Sequence, residues 1–198
     1  MTTSTDPVEL LERAIGYARG MLGGVRPDLL TRPTPCARWT LADLLTHMSD
    51  SLDALTEASR GVIAIAPPPR GEPGVAGVAE LRDKACHLLG AWSNSHAAQA
   101  RLGDARLESG LLLRAGALEI AVHAWDVGQA TGAGEPIPEG LARALTGSAH
   151  VLISPEDRPL RFAPPVSVTG VATPSALLLA FTGRHVRVPA SQPEPGVQ

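Results

Sequence analysis

Residues 118–132 read LEIAVHAWDVGQATG, an apolar stretch that carries three polar side chains at regular steps. Glu119, His123 and Asp126 follow one another at intervals of four and three residues. In an α-helix these intervals place side chains on the same side, about one turn apart. The stretch therefore predicts a largely buried helix that presents an acid, an imidazole and a second acid along one stripe.

The overall composition is that of an ordinary globular protein. The chain has 198 residues and a net charge of −3, which allows one domain, or one domain with a short appendage, and gives no basic surface for nucleic acid. No run approaches the roughly 18 apolar residues of a membrane span, and the first residues lack a secretory signal. Two distant cysteines do not form a disulfide framework. We therefore expect a cytoplasmic monomer or homodimer that binds small molecules and neither nucleic acid nor membrane.

Hydrophobic periodicity and end signals predict five helical segments. Asp6 is a candidate N-cap, and Thr40 is another, with Asp43 completing a variant of the capping box. A stretch rich in proline and glycine over 66–77 is predicted to be a loop. The predicted helices cover residues 7–22, 41–60, 78–99, 110–131 and 138–153.

The chain changes character towards its C-terminus. Residues 155–175 contain five prolines and are predicted to run extended over a surface, whereas SALLLAFTG (175–183) is predicted to form a short helix or buried segment. No alternating pattern is long enough for a sheet, and residues 101–109 are predicted to be a short polar connection to the fourth helix. We therefore predict an all-α protein, with a helical bundle over 1–155 and an extension over 156–198 that packs on it.

Glu119 and His123 form a candidate metal-binding pair. Side chains on adjacent helical turns aim at a common point, and carboxylates and imidazoles are ligands of divalent transition metals. His47, within LADLLTHMSD (41–50), is the candidate third ligand, because a histidine so close to an apolar stripe needs a polar partner. Two histidines and one carboxylate leave a coordination position open, as in catalytic sites.

Two aspartates are candidates for contacts that orient these histidines. Asp50 lies three residues after His47, and Asp126 lies three residues after His123, so each could accept a hydrogen bond from an imidazole and fix its tautomer. Asp126 could instead cap the helix or pair at the surface. A glutamate and a histidine four residues apart also occur as solvated neighbours, so the residues alone leave both interpretations open.

Two blocks of the sequence resemble a known family. PTPCARWTLADLLTHM (33–48) and ALEIAVHAWDVGQATG (117–132) are similar, in that order, to the DinB-like superfamily. Within it, the resemblance is to the metal-binding domain of mycothiol-dependent maleylpyruvate isomerases and their short actinobacterial relatives. FAPPV (162–166) and LLLAFTGR (177–184) resemble the tail of the short relatives.

The resemblance implies a DinB-like four-helix bundle, here with an extra C-terminal helix and an extended tail. It also implies a divalent metal, usually zinc, held by His47, Glu119 and His123. In such a site a low-molecular-weight thiol, mycothiol in this family, binds the metal as a thiolate and attacks a small electrophile. Reversible addition would isomerise a cis-enedioic substrate, and addition or displacement alone would make the protein an S-transferase.

This chain departs from the full-length isomerases, which carry a larger C-terminal domain with an arginine that contacts substrate. Arg161, Arg184 and Arg187 lie in the short C-terminal part, and none can be aligned with that arginine. The substrate therefore stays unassigned. Two other functions remain open: a metal-dependent cyclase, isomerase or hydrolase that needs no thiol, and a non-catalytic metal-dependent binding protein.

Several further side chains have simpler interpretations. Cys36 is predicted to be a small buried hydrophobe before the second helix, with a redox thiol or a metal ligand as the alternatives. Trp39 and Trp125 are predicted to be core or pocket-wall aromatics. Cys86 and His87 point about 100° apart on a helix and are not expected to chelate. A pocket should open between the second and fourth helices, with the loop over 66–77 and the proline-rich C-terminal stretch as its walls.

Overall fold

Capping side chains set where the first two long helices begin, as the sequence predicts. Asp6 accepts hydrogen bonds from the backbone N–H groups of Val8 and Glu9, and Thr40 and Asp43 form a reciprocal capping box. The computed structural model describes residues 5–36, 39–64, 77–158, 161–168 and 172–186. Its helices are α1 (Pro7–Leu22), α2 (Leu41–Ala58), α3 (Val78–Ser93), α4 (Ser109–Thr131), α5 (Glu139–Leu152) and α6 (Pro174–Phe181). Two short 3-10 turns span Pro27–Leu29 and Pro155–Asp157.

Helix α4 is the centre of the fold. It packs against α1, α2 and α5, and its residues 116–128 are all buried except Glu119, which is half-buried. Small side chains let the neighbouring helices approach closely, and a Cβ at Gly116 would lie 2.5 Å from a methyl carbon of Leu55 on α2. A helix that is surrounded in this way can carry polar side chains only where they have partners inside the protein.

The C-terminal segment returns to the bundle and contains α6, which confirms the short helix predicted there. Helix α6 packs against α5, and the backbone N–H of Val166 donates to the carbonyl oxygen of Ala180 at 3.0 Å. The Arg158 guanidinium donates to the carbonyl oxygens of Ala163 and Phe181 and lies over the Phe181 ring. The proposed division of the chain into a bundle and an extension stays a prediction.

The prediction that the chain forms no sheet is wrong. Strand β1 (Val62–Ile63) pairs parallel to β2 (Gln99–Leu102), and β2 pairs antiparallel to β3 (Ala105–Glu108). The short polar connection over 101–109 is therefore largely part of a hairpin, and Gly103 in its two-residue turn has a left-handed φ of 57°. A Gly-Asp pair is a known hairpin signal, but two strands of four residues are too short for alternation to reveal them.

Helix α3 is shorter than predicted and ends at Ser93 rather than at residue 99. Asn94 has already left the helical conformation, and the Ser95 hydroxyl donates to the carbonyl oxygen of Ser59 at 2.7 Å. Residues 94–98 are irregular and lead into β2 at Gln99. The predicted loop over 66–77 lies, apart from Gly77, outside the described residues.

The mostly helical architecture confirms the predicted all-α class, and the small sheet is the addition to it. Across the described ranges, none of the helices combines the length and apolarity needed to cross a membrane.

Gly183, directly after α6, should not tolerate a side chain. Its φ is 83°, and a Cβ there would lie 2.6 Å from Ala163 Cβ and 2.8 Å from the Ala163 carbonyl oxygen. We expect Gly183→Ala to lower the free energy of unfolding in urea titrations by about 1 to 3 kcal/mol. Gly147→Ala is the matched control, because the space around that position of α5 is open, and it should raise this free energy by up to about 1 kcal/mol. Equal effects of the two substitutions would contradict the packing described for Gly183.

Candidate metal centre

Three side chains from two helices meet beside the core. Nε2 of His47 on α2 lies 2.5 Å from Oε1 of Glu119 on α4, and Nε2 of His123 lies 3.1 Å from the same oxygen. One ligand atom from each of the three residues lies within 4.8 Å of the other two. The structure thus brings together the three residues that the sequence indicates as candidate ligands.

The packing of α2 against α4 produces this cluster. Glu119 and His123 lie one turn apart on α4 and face the same side, towards His47. The Trp39 ring, just before α2, has its centroid 4.5 Å from that of His47 and 5.9 Å from that of His123. Trp39 therefore walls the cluster, and Trp125 is buried in the core, as predicted for the two aromatics.

The donor set fits a divalent transition metal. Two imidazole nitrogens and one carboxylate oxygen are the ligands of catalytic zinc and of non-haem iron sites, and three protein ligands leave positions for a molecule from outside. His123 is almost fully buried, whereas His47 and Glu119 are half-buried, so the cluster has one closed and one open side. Within the described ranges, no other group of three His, Cys, Asp or Glu side chains has its ligand atoms so close together.

The charges of the cluster stabilise one another. Burial alone would raise the pKa of Glu119, but hydrogen bonds to His123 and His47 hold that pKa well below its ordinary value. Burial alone would lower the pKa of His123, but its hydrogen bonds to Asp126 and Glu119 raise the pKa to about 9. The two carboxylates therefore favour the protonated form of His123 when no metal ion is bound, and metal binding would displace this proton.

Asp126 contacts the ring nitrogen of His123 that does not face Glu119. Oδ2 of Asp126 lies 3.0 Å from Nδ1 of His123, and the relative exposure of Asp126 is 0%. A proton on Nδ1 donated to this carboxylate leaves Nε2 of the neutral ring as a ligand atom. The alternative that Asp126 pairs at the surface is therefore wrong. Asp50 is half-buried on α2, and its contact with His47 stays a prediction.

The sequence does not predict Arg184 as a residue of the metal site. Its Nη2 lies 2.8 Å from Oδ2 of Asp126 and its Nε lies 3.4 Å from Oδ1, and both side chains are buried. The two residues are 58 positions apart, so no local pattern in the sequence could pair them. The sequence feature that could have indicated Arg184 is the position of this arginine, three residues after the apolar stretch that forms α6.

A cavity of about 660 Å³ opens beside the cluster. This volume lies in the range of about 300 to 1,000 Å³ that small-molecule sites occupy. Its walls come from α2, α4 and the C-terminal segment, where the sequence predicts a pocket, and also from the loop before α2, which the sequence does not predict. The predicted wall over 66–77 lies, apart from Gly77, outside the described residues. The lining residues are Pro35, Cys36, Trp39, His47, Leu118, Glu119, Val122, Arg161, Phe162, Ala163, Pro164, Thr182, Gly183, Arg184 and His185.

Cys36 differs from its prediction as a small buried hydrophobe. It is half-buried and lines the cavity, on the same side of the fold as Trp39 and His47. Arg184 interacts electrostatically with Cys36. The loop before α2 therefore contributes to the cavity wall as well as to core packing.

Residues 11–128 match the family model described as the mycothiol maleylpyruvate isomerase N-terminal domain. Two uncharacterized proteins of Mycobacterium tuberculosis, from strains CDC 1551 / Oshkosh and ATCC 25618 / H37Rv, are each 27% identical over 184 residues. That alignment covers 92% of this chain and 100% of each relative. No solved structure matches the chain at a significant level. The matched family range contains the whole cluster and Asp126, whereas Arg184 lies beyond it.

His123 should make the stability of the metal-free protein depend on pH. Its pKa rises from 6.5 to about 9 on folding. The protonated ring therefore contributes to the free energy of unfolding fully below pH 6.5, and this contribution is lost as the pH rises through 9. We expect the free energy of unfolding of chelator-treated protein to fall by about 1 to 3 kcal/mol between pH 6.5 and pH 9.5 in urea titrations. The fall should largely disappear in His123→Asn. An equal fall in the variant and the wild type would contradict the pairing of His123 with two carboxylates.

Proposed function

The chain belongs to the mycothiol maleylpyruvate isomerase N-terminal domain family, and we propose that it is a divalent-metal-dependent enzyme that joins a low-molecular-weight thiol to a small electrophile. The proposed metal is zinc, and the proposed thiol is mycothiol, which the family description names. The observation that carries this proposal is the cluster of His47, Glu119 and His123 at a cavity large enough for small reactants.

The cluster supplies the ligands that the proposed chemistry requires. His47, Glu119 and His123 would hold the ion, and Asp126 would keep the proton of His123 on Nδ1 so that Nε2 faces the cluster. A bound zinc ion lowers the pKa of a thiol that coordinates it and so provides a reactive sulfur at neutral pH.

The cavity walls would hold both reactants beside the cluster. Leu118, Val122 and Phe162 give the cavity apolar surface, and Arg161 and His185 give it polar surface. This mixture is typical of small-molecule sites, in which apolar contacts exclude water and a few polar groups set the orientation. The open side of the cluster, formed by the half-buried His47 and Glu119, faces this space.

In the proposed reaction the sulfur of the thiol forms a bond to an electrophilic carbon, and the thiol proton is released. If the electrophile is an electron-poor double bond, the neighbouring carbon takes up a proton. After rotation about the resulting single bond, loss of a proton from that carbon and cleavage of the sulfur–carbon bond give the trans isomer and release the thiol. If the electrophile carries a leaving group, the bond to that group breaks as the sulfur–carbon bond forms, and the product is a thioether. One site can therefore serve an isomerase or an S-transferase, depending on the electrophile.

Zinc-loaded protein, mycothiol and monochlorobimane provide the test. We expect fluorescent thioether to form faster than in the uncatalysed reaction, and the catalysed rate to fall at least about 100-fold in His47→Ala and in Glu119→Gln, because each change removes a ligand. His87→Ala is the matched control, since it removes an exposed histidine of α3, and it should leave the rate unchanged. Maleate is the second electrophile, with fumarate detected by NMR as the isomerisation product.

Other outcomes would assign a different function. Zinc binding without any thiol-dependent product, across a panel of thiols and electrophiles, would contradict the proposal. Turnover of a substrate without added thiol would support a metal-dependent cyclase, isomerase or hydrolase. Stoichiometric ligand binding without a product in mass spectra would support a metal-dependent binding protein.

A further inference from the structure

Arg184 and Asp126 form a buried ion pair between the C-terminal segment and α4. Nη2 of Arg184 lies 2.8 Å from Oδ2 of Asp126 and Nε lies 3.4 Å from Oδ1, so the guanidinium faces both carboxylate oxygens. The side-chain exposure is 8% for Arg184 and 0% for Asp126. Removing Asp126 would leave the buried Arg184 guanidinium without its carboxylate partner.

The same carboxylate contacts a candidate metal ligand. Oδ2 of Asp126, the oxygen nearer to Arg184, also lies 3.0 Å from Nδ1 of His123. A carboxylate oxygen has two lone pairs, so it can accept hydrogen bonds from the imidazole and the guanidinium together. Arg184 and His123 therefore share one oxygen of Asp126.

The chain around Arg184 leaves its guanidinium little freedom. Nη1 donates to the carbonyl oxygen of Thr182 at 2.9 Å, and the backbone N–H of Arg184 donates to the carbonyl oxygen of Leu179 at 2.8 Å. Gly183, in the left-handed conformation, makes the turn that leads from α6 to Arg184. Arg184 is thus held from α6 and from α4 at once.

We propose that Arg184 is a positioning residue of the metal centre and acts on His123 through Asp126. This inference rests on the metal site of the proposed function. Arg184 fixes Oδ2 of Asp126 towards Nδ1 of His123, which selects the tautomer whose Nε2 faces Glu119. Without Arg184 the carboxylate is free to turn away from Nδ1, and the ring loses its orientation. The C-terminal segment is then part of the metal centre as well as a wall of the cavity.

The metal affinity of full-length variants tests this role. The probes are Zn²⁺, in competition with a chromophoric chelator, and Co²⁺, whose absorption spectrum reports the ligand geometry. We expect Arg184→Met to weaken Zn²⁺ binding about 10- to 100-fold and to change the Co²⁺ spectrum, as Asp126→Asn should, because contacts that orient metal ligands have effects of this size. The double variant should be little weaker than either single variant, since both changes break one chain of contacts. Arg184→Lys keeps the charge but loses the two-point contact with the carboxylate. Its Zn²⁺ affinity should therefore lie between that of the wild type and that of Arg184→Met.

Arg158→Met is the matched control. Arg158 lies in the same C-terminal segment, but its partners are Ala163 and Phe181 rather than Asp126. We expect this variant to be less stable and yet to keep its Zn²⁺ affinity within about twofold, because it leaves the contacts of His123 in place. Equal weakening of Zn²⁺ binding in Arg158→Met and Arg184→Met would overturn the proposal, as would full affinity in Arg184→Met. If Arg184→Met does not fold, Arg184→Lys provides the test: weaker Zn²⁺ binding than in the wild type supports the proposal, and wild-type affinity overturns it.

The controls also separate this inference from the proposed function. Wild-type protein that binds Zn²⁺ but gives no thiol-dependent product contradicts the proposed function and leaves the role of Arg184 intact. Zn²⁺ affinity that is insensitive to Arg184 contradicts the role of Arg184 alone. Wild-type protein that binds no Zn²⁺ overturns both.

Discussion

The carboxylate of Asp126 is fully buried in α4, between the imidazole of His123 and the guanidinium of Arg184. A carboxylate at such a place is costly unless donors of opposite charge face its oxygens. One of these donors comes from the same helix and the other from the chain just beyond α6. Asp126 therefore contacts two features together: a candidate metal ligand on α4, and the segment that walls the cavity.

Helix α4 can carry these groups because each has a protein partner. Residues 116–128 are buried except for Glu119, so water cannot satisfy the His123 imidazole or the Asp126 carboxylate. Contacts run from His47 to Glu119, from Glu119 to His123, and from His123 through Asp126 to Arg184. Along this series of contacts, carboxylates alternate with imidazole or guanidinium groups, and this alternation stabilises every group in the series. Both of its ends, His47 and Arg184, line the cavity.

The sequence predicts the features that depend on neighbouring residues and misses most of those that depend on distant ones. The capped starts of α1 and α2 and the polar stripe of α4 follow from spacings of up to four residues. His47 is a distant partner of Glu119, and it was predicted because a histidine in an apolar stripe is unusual and because a family resemblance supports it. The β2–β3 hairpin was missed because its strands are short. Arg184 was missed because its partner lies 58 residues away and burial of an arginine leaves no periodic signal.

Anomalous diffraction at the zinc edge, from crystals of the zinc-loaded protein, tests the metal centre most directly. We expect one strong peak bonded to Nε2 of His47, to Nε2 of His123 and to a carboxylate oxygen of Glu119, with its remaining coordination positions directed into the cavity. A zinc ion bound elsewhere, or no peak at this cluster under conditions in which the protein is saturated with zinc, would contradict the metal centre and the chemistry proposed for it.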